Sequence, residues 1–86
     1  MNPKSNPMER NEIIGRLTEI YRTVFNNNSL ILTNELTAND VEQWDSLSHM
    51  LLIAEIENKF AIKFKLKDLN KMRNVGDMIE IITSKL

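Results

Sequence analysis

Apolar residues recur along this chain at the three-to-four-residue spacing of α-helices in three separate stretches. The first predicts one buried helix face, formed by Ile13, Ile14, Leu17, Ile20, Tyr21, Val24 and Phe25. Because proline is tolerated in a first turn, Asn6 or Pro7 can begin this helix, and the polar run 26–29 ends it. We expect residues 1–7, which are polar and hold both prolines, to form a disordered leader.

A second helix is predicted directly after Trp44. Asp45 is a favoured N-cap residue, Ser46 is then the first helical residue, and the apolar pattern continues to Phe60. The apolar face is too broad for one neighbour, which indicates a central helix. Since Met50, Leu51 and Leu52 cannot all face one core, at least one of them should be exposed.

The long segment before this helix, residues 29–44, has no sustained period. It is nevertheless rich in apolar side chains, namely Leu30, Ile31, Leu32, Leu36, Val41 and Trp44. A small domain would lose scarce core if these side chains stayed in water, so we expect the segment to pack across the domain.

The last third of the chain predicts two further helices. Residues 60–66 alternate like a strand but have no second strand to pair with, so we expect an extended connector that buries Ile62 and Phe64. A short helical turn follows within 66–72. Asn74 then caps a final helix, whose apolar face holds Val75, Met78, Ile79, Ile82 and Leu86. The predicted fold class is all-α, a small four-helix bundle of three main helices and one short helix.

Composition excludes several classes of protein. With 86 residues, 42% of them hydrophobic, the chain suffices for one domain, assigned to 8–86, with a modest core. It contains no cysteine, hence no disulfide or thiolate metal site. No apolar run reaches the length of a membrane span or resembles a signal peptide. We therefore expect a cytoplasmic monomer with no membrane insertion.

Charge is distributed unevenly although the net charge is only −1. Residues 23–58 contain no Lys or Arg, whereas 59–73 contain six basic residues and one acidic residue. The acidic half can attract a basic partner, or its charges simply solvate the surface. The basic segment raises the possibility of nucleic-acid binding, but an acidic half would repel a phosphate backbone, so we expect no nucleic-acid partner.

Ser46 is the residue best placed to carry a chemical group. A hydroxyl at the start of a helix lies where backbone N–H groups and the helix dipole favour a phosphate ester, although the Asp45 carboxylate partly opposes it. Serine catalysis with His49 lacks an orienting group and a substrate cleft. A calcium loop starting at Asp40 would end on the apolar Leu51, so we predict no catalytic residue and no metal site.

This layout resembles the acyl carrier protein family, together with the related peptidyl carrier domains. Asp45-Ser46-Leu47 at the head of the second helix, after a first helix and a long loop, carries the resemblance over residues 8–86. The resemblance implies that a phosphopantetheinyl transferase (holo-carrier synthase) uses coenzyme A to attach 4′-phosphopantetheine to Ser46. An acyl or aminoacyl group is then carried as a thioester on this phosphopantetheine arm, and the protein itself is not an enzyme.

Partners implied by the resemblance are the transferase, a loading ligase or acyltransferase, and a downstream synthase or transferase. The candidate partner-recognition residues are Asp45, Leu47, Met50 and Glu55. Carriers of fatty-acid synthesis usually have an acidic second helix, whereas Leu51 stands here at a place that is commonly Glu. This departure predicts a specialised polyketide, peptide or polysaccharide-modifying pathway rather than primary fatty-acid synthesis.

Two further departures lie just before the serine. Gln43 stands where the family often has Gly, and Trp44 replaces a smaller residue. We expect Trp44 to cover the core beside Ser46 rather than to contact cargo. The alternative to the carrier is an unmodified helical interaction module in which Asp45 and Ser46 only cap the helix.

Overall fold

The computed structural model describes residues 9–86 and consists of four α-helices. They are α1 (Arg10–Val24), α2 (Ser46–Phe60), α3 (Leu66–Asn70) and α4 (Val75–Lys85), with a 3-10 turn at Ala38–Asp40 in the first loop. Within 9–86 there is no β-strand, which confirms the predicted all-α class and the short third helix. The expected leader, 1–7, lies outside the described residues.

Helix α1 begins later than the sequence pattern predicted. Glu9 is extended, with φ −69° and ψ 154°, so the helix begins at Arg10; Asn6 and Pro7, which were predicted to begin it, lie outside the described residues. Its buried face follows the predicted stripe and consists of Ile13, Leu17, Ile20 and Tyr21. Asn26 ends the helical region with φ 52°, a left-handed conformation that asparagine tolerates better than most residues.

Three aromatic rings join α1 to the end of the first loop. Tyr21 contacts Trp44 edge to face at 5.2 Å and Phe25 at 5.6 Å, and all three side chains are buried. The Tyr21 hydroxyl donates to the Met78 sulfur on α4 at 3.5 Å, and burial raises the pKa of the phenol. The prediction that the first loop packs across the domain is therefore confirmed, as is the burial of Trp44.

The first loop also binds the start of α4 through its backbone. The Val75 N–H donates to Leu36 O at 3.0 Å, and the Gly76 N–H donates to Asn34 O at 2.9 Å. A Cβ atom on Gly76 would lie 3.2 Å from that Asn34 oxygen, so glycine permits this close approach.

The segment between α2 and α3 is an extended connector, as predicted. Ala61 ends α2 with φ 56°, and the Phe64 N–H donates to the Glu57 carboxylate at 2.8 Å. Ile62 is buried and Phe64 is partly buried. At the far end of α4, Lys85 pairs with Asp68 of α3 at 2.8 Å. Leu86 was predicted to face the core, but it follows the last helical residue and is exposed.

One core of apolar side chains lies between the helices, and it includes Leu52, Ile56, Val75 and Ile79, which are almost fully buried. No helix in residues 9–86 is both long enough and apolar enough to cross a membrane.

Candidate functional site

The start of α2 is held by a reciprocal pair of hydrogen bonds. The Asp45 carboxylate accepts the Ser48 N–H at 2.9 Å, and the Ser48 hydroxyl accepts the Asp45 N–H at 2.8 Å. Ser48 thus acts where a capping box usually has Glu or Gln. Its hydroxyl also donates to Gln43 O at 2.8 Å. The predicted N-cap role of Asp45 is confirmed, and Ser48 is a structural residue that the sequence analysis missed.

Ser46 takes no part in this cap. It is the first residue of α2 and is exposed, and within residues 9–86 no hydrogen bond engages its hydroxyl or its N–H. The neighbouring Asp45 is also exposed, and hydrogen bonds from Ser48 hold the pKa of its carboxyl below the usual range. The helix start therefore combines an ionised cap with a separate, accessible hydroxyl.

His49 is half-buried against Trp44. The indole Nε1–H of Trp44 donates to His49 Nδ1 at 3.0 Å, and the two rings lie edge to edge, with planes 21° apart and centroids 6.0 Å apart. Burial lowers the pKa of His49. The sequence offered no signal for this contact, because it depends on how the first loop returns to α2. His49 makes no hydrogen bond to Ser46, and its Nδ1 is already engaged, which disfavours the pairing that serine catalysis needs.

An open cleft of about 350 Å³ lies beside Ser46. His49 and Trp44 line it from the α2 side, and Met72 and Arg73, which precede α4, line it from the other side. Arg73 is well exposed and its Nε donates to the Asp77 carboxylate at 3.2 Å. The structure thus brings a cationic side chain to Ser46 that the sequence analysis had only counted in a basic segment.

The predicted partner-recognition residues on α2 differ in their surroundings. Leu47 is 74% exposed and Met50 58%, and Leu51 beside them is 56% exposed, so apolar groups face solvent near Ser46. Glu55 instead lines a groove with Arg16 and Lys59, between α1 and α2. The prediction that part of the Met50–Leu52 run is exposed is confirmed, since only Leu52 enters the core.

Metal binding finds no support in the part of the chain that the structure describes. There, no three His, Asp or Glu side chains cluster closely enough to hold an ion. The Asp45 carboxylate accepts the Ser48 N–H.

Solved structures of acyl carrier proteins are similar to this chain, whereas no protein-family model matches it. The solution structure of holo acyl carrier protein from Geobacter metallireducens shares 47% identity over 84% of this chain and 83% of that one, with a TM-score of 0.80. The crystal structure of acyl carrier protein from Thermotoga maritima shares 27% identity over 91% of each chain, with a TM-score of 0.76. The chain therefore belongs to the acyl carrier protein family, whose members are carriers and not enzymes.

Proposed function

We propose that this protein carries an acyl group on a 4′-phosphopantetheine arm attached through a phosphodiester to Ser46. The observation that supports this most directly is the position of Ser46, which is exposed at the start of α2 and outside the capping hydrogen bonds. The similar protein from Geobacter metallireducens is a holo form. When attached, the arm supplies the thiol that this cysteine-free chain lacks, and the cargo is held there as a thioester.

The residues around Ser46 fit such a group. Ser46 lines the open cleft, and the N–H groups of the first turn favour negative charge. Arg73 offsets part of the charge of Asp45 and of the phosphodiester. Within residues 9–86 no base accepts a hydrogen bond from the Ser46 hydroxyl, and His49 Nδ1 already accepts from Trp44. A phosphopantetheinyl transferase must therefore take the Ser46 proton as the oxygen attacks phosphorus and the nucleotide part of coenzyme A leaves.

Intact mass tests this proposal. The folded wild type, Ser46→Ala and Ser48→Ala would each be incubated with coenzyme A and a broad-specificity phosphopantetheinyl transferase. We expect one phosphopantetheine on the wild type and on Ser48→Ala, and none on Ser46→Ala. No addition to a wild type shown to be folded, with several transferases, would contradict the proposal and favour an unmodified interaction module.

We also propose that this carrier serves a specialised pathway, polyketide, peptide or polysaccharide-modifying, rather than primary fatty-acid synthesis. Leu51 is exposed on α2 at a place that is commonly Glu in fatty-acid carriers. The α3 region carries exposed lysines, namely Lys63, Lys65, Lys67 and Lys71. Both features disfavour docking on a partner with a basic patch and favour one that offers apolar groups to Leu47, Met50 and Leu51. An aminoacyl cargo fits the same site as an acyl cargo, and the cytoplasm is the proposed location.

Met50→Glu tests the docking surface. Because Met50 is 58% exposed, we expect this substitution to change the free energy of unfolding by less than about 1 kcal/mol. Transfer of the arm or the cargo by a partner enzyme should fall at least tenfold. Ile31→Glu is the matched control, since Ile31 is an exposed apolar residue of the first loop. A large loss of stability with normal transfer would contradict the prediction.

A further inference from the structure

His49 lines the cleft beside Ser46, and its hydrogen bond with Trp44 determines which ring nitrogen carries the proton. The indole N–H is a donor only, so the 3.0 Å contact from Trp44 Nε1 requires His49 Nδ1 to accept. A neutral imidazole that accepts at Nδ1 carries its proton at Nε2. Within residues 9–86 no acceptor engages that Nε2–H.

The Trp44 indole is a rigid support for this imidazole. Trp44 is buried, packs edge to face on Tyr21 at 5.2 Å and contacts Phe25 at 5.8 Å. The His49 ring is held edge to edge with it by the 3.0 Å hydrogen bond, with the two ring planes 21° apart. Side chains on a helix lean toward its N-terminus, so His49 leans toward Ser46, three residues before it. His49 lines the cleft together with Ser46, and its Nε2–H is the ring donor that Trp44 leaves available.

Arg73 supplies the complementary charge on the other side of the cleft. Its Nε is engaged by Asp77, which leaves the two terminal nitrogens of the guanidinium as donors for a second anion. Asp45 is the acidic residue that lines the same cleft, and its carboxylate accepts the Ser48 N–H. The helix dipole favours a phosphodiester on Ser46, whereas the like charge of Asp45 opposes it. The Asp77 carboxylate offsets part of the charge of Arg73, and the rest is available to the phosphodiester.

We propose that His49 and Arg73 hold the phosphodiester of the arm non-covalently, His49 through Nε2–H and Arg73 through its guanidinium. This inference rests on the attachment of the arm to Ser46. Both residues are positioning residues: they fix the direction in which the arm leaves the helix start. The consequence is that the arm begins on the side of Ser46 that faces Met72 and not on the side of Leu47.

One histidine in the chain makes the test direct, because its ring signals belong to a single residue. The apo and holo proteins would be titrated by ¹⁵N and ¹H NMR, after mass spectrometry has established that the holo form carries the arm. A phosphodiester close to the ring stabilises the imidazolium, so we expect the pKa of His49 to be about half a unit or more higher in the holo protein. In the apo protein, the neutral ring should show its proton on Nε2.

The phosphorus signal provides a second readout that needs no titration. We expect the ³¹P chemical shift of the holo protein to move in Arg73→Gln and in His49→Gln. Lys71→Gln is the matched control, because it removes the same charge from an exposed residue that does not line the cleft. Because Arg73 is exposed, we expect Arg73→Gln to keep the fold intact.

The possible failures are distinguishable. If the arm attaches, but His49 titrates identically in the apo and holo proteins and neither cleft substitution moves the ³¹P signal, this inference is overturned while the carrier function stands. If a folded wild type takes no arm, the proposed function fails first and the inference fails with it.

Discussion

Helices α2 and α4 begin with the same capping device but differ in what lies in front of their first turns. Asp45 accepts the N–H of the third helical residue of α2 at 2.9 Å, and Asn74 does the same for α4 at 2.8 Å. In α4 the first two N–H groups are bound by carbonyls of the first loop, and Val75 is fully buried. In α2 the hydroxyl and the N–H of the first residue, Ser46, make no hydrogen bond within 9–86, and Leu47 is 74% exposed.

This difference separates a structural helix start from one available for chemistry. The cap itself carries no information about function, because both helices have one. The first two backbone N–H groups of α4 form hydrogen bonds with the first loop. The first turn of α2 instead leaves the Ser46 hydroxyl, the Ser46 N–H and the Leu47 side chain at the surface. The candidate site of this chain is thus the helix start whose polar groups and apolar side chain take no part in the packing of the fold.

Truncation of the first apolar residue in each helix should give the largest contrast. Val75→Ala removes two buried methyl groups and should lower the free energy of unfolding by about 2 kcal/mol. Leu47→Ala should change it by less than about 0.5 kcal/mol because Leu47 is exposed. Urea denaturation of both variants measures this, and similar losses in the two would contradict the comparison.

Two serines in the first turn of α2 provide a sharper test. Ser48→Ala removes the acceptor for the Asp45 N–H and the donor to Gln43 O, and should cost about 1 kcal/mol of stability. Ser46→Ala is the matched control and should leave stability unchanged within about 0.5 kcal/mol. The comparison fails if Ser46→Ala is the more destabilising of the two.

Acid should weaken the cap of α2 and not that of α4. The pKa of Asp45 is lower in the folded protein than in the unfolded chain, so its contribution is complete above about pH 4 and is lost as the pH falls through the folded-state value. Asn74 does not titrate. The amide proton shift of Ser48 should therefore follow a transition with a midpoint below about 3.9, and Asp45→Asn should abolish it. A midpoint above that value would contradict the hydrogen-bonded geometry.

Features that depend on neighbouring residues in the chain could be predicted from the sequence. Asp45 and Asn74 are local cap signals, and both begin their helices where predicted. The Asp45-x-x-Ser48 spacing could have indicated the reciprocal cap, but Ser is an unusual partner at that position. Helix α1 begins later than predicted. The tolerance of proline in a first turn suggested a start near Pro7, but it does not reveal that Glu9 is extended.

Features that depend on the path of the first loop could not be predicted in this way. The bonds of Val75 and Gly76 to the loop, the Trp44–His49 contact and the approach of Arg73 to Ser46 each join residues through the tertiary fold. No local period encodes such contacts. The sequence therefore predicted Ser46 as the attachment residue with Asp45 and Trp44 beside it, whereas the approach of Met72 and Arg73 to this cleft emerged from the structure.

The central claim is that the phosphopantetheine arm is attached to the serine left outside the cap. Trypsin should release Thr23–Lys59 from the modified protein, since no Lys or Arg lies between Arg22 and Lys59, and this peptide holds Ser29, Ser46 and Ser48. Tandem mass spectrometry of that peptide would locate the added group. The account predicts that N-terminal fragments of this peptide ending at Asp45 lack the added mass and that those extending to Leu47 carry it. Addition at Ser48 or Ser29, or an unmodified peptide from folded protein, would contradict it.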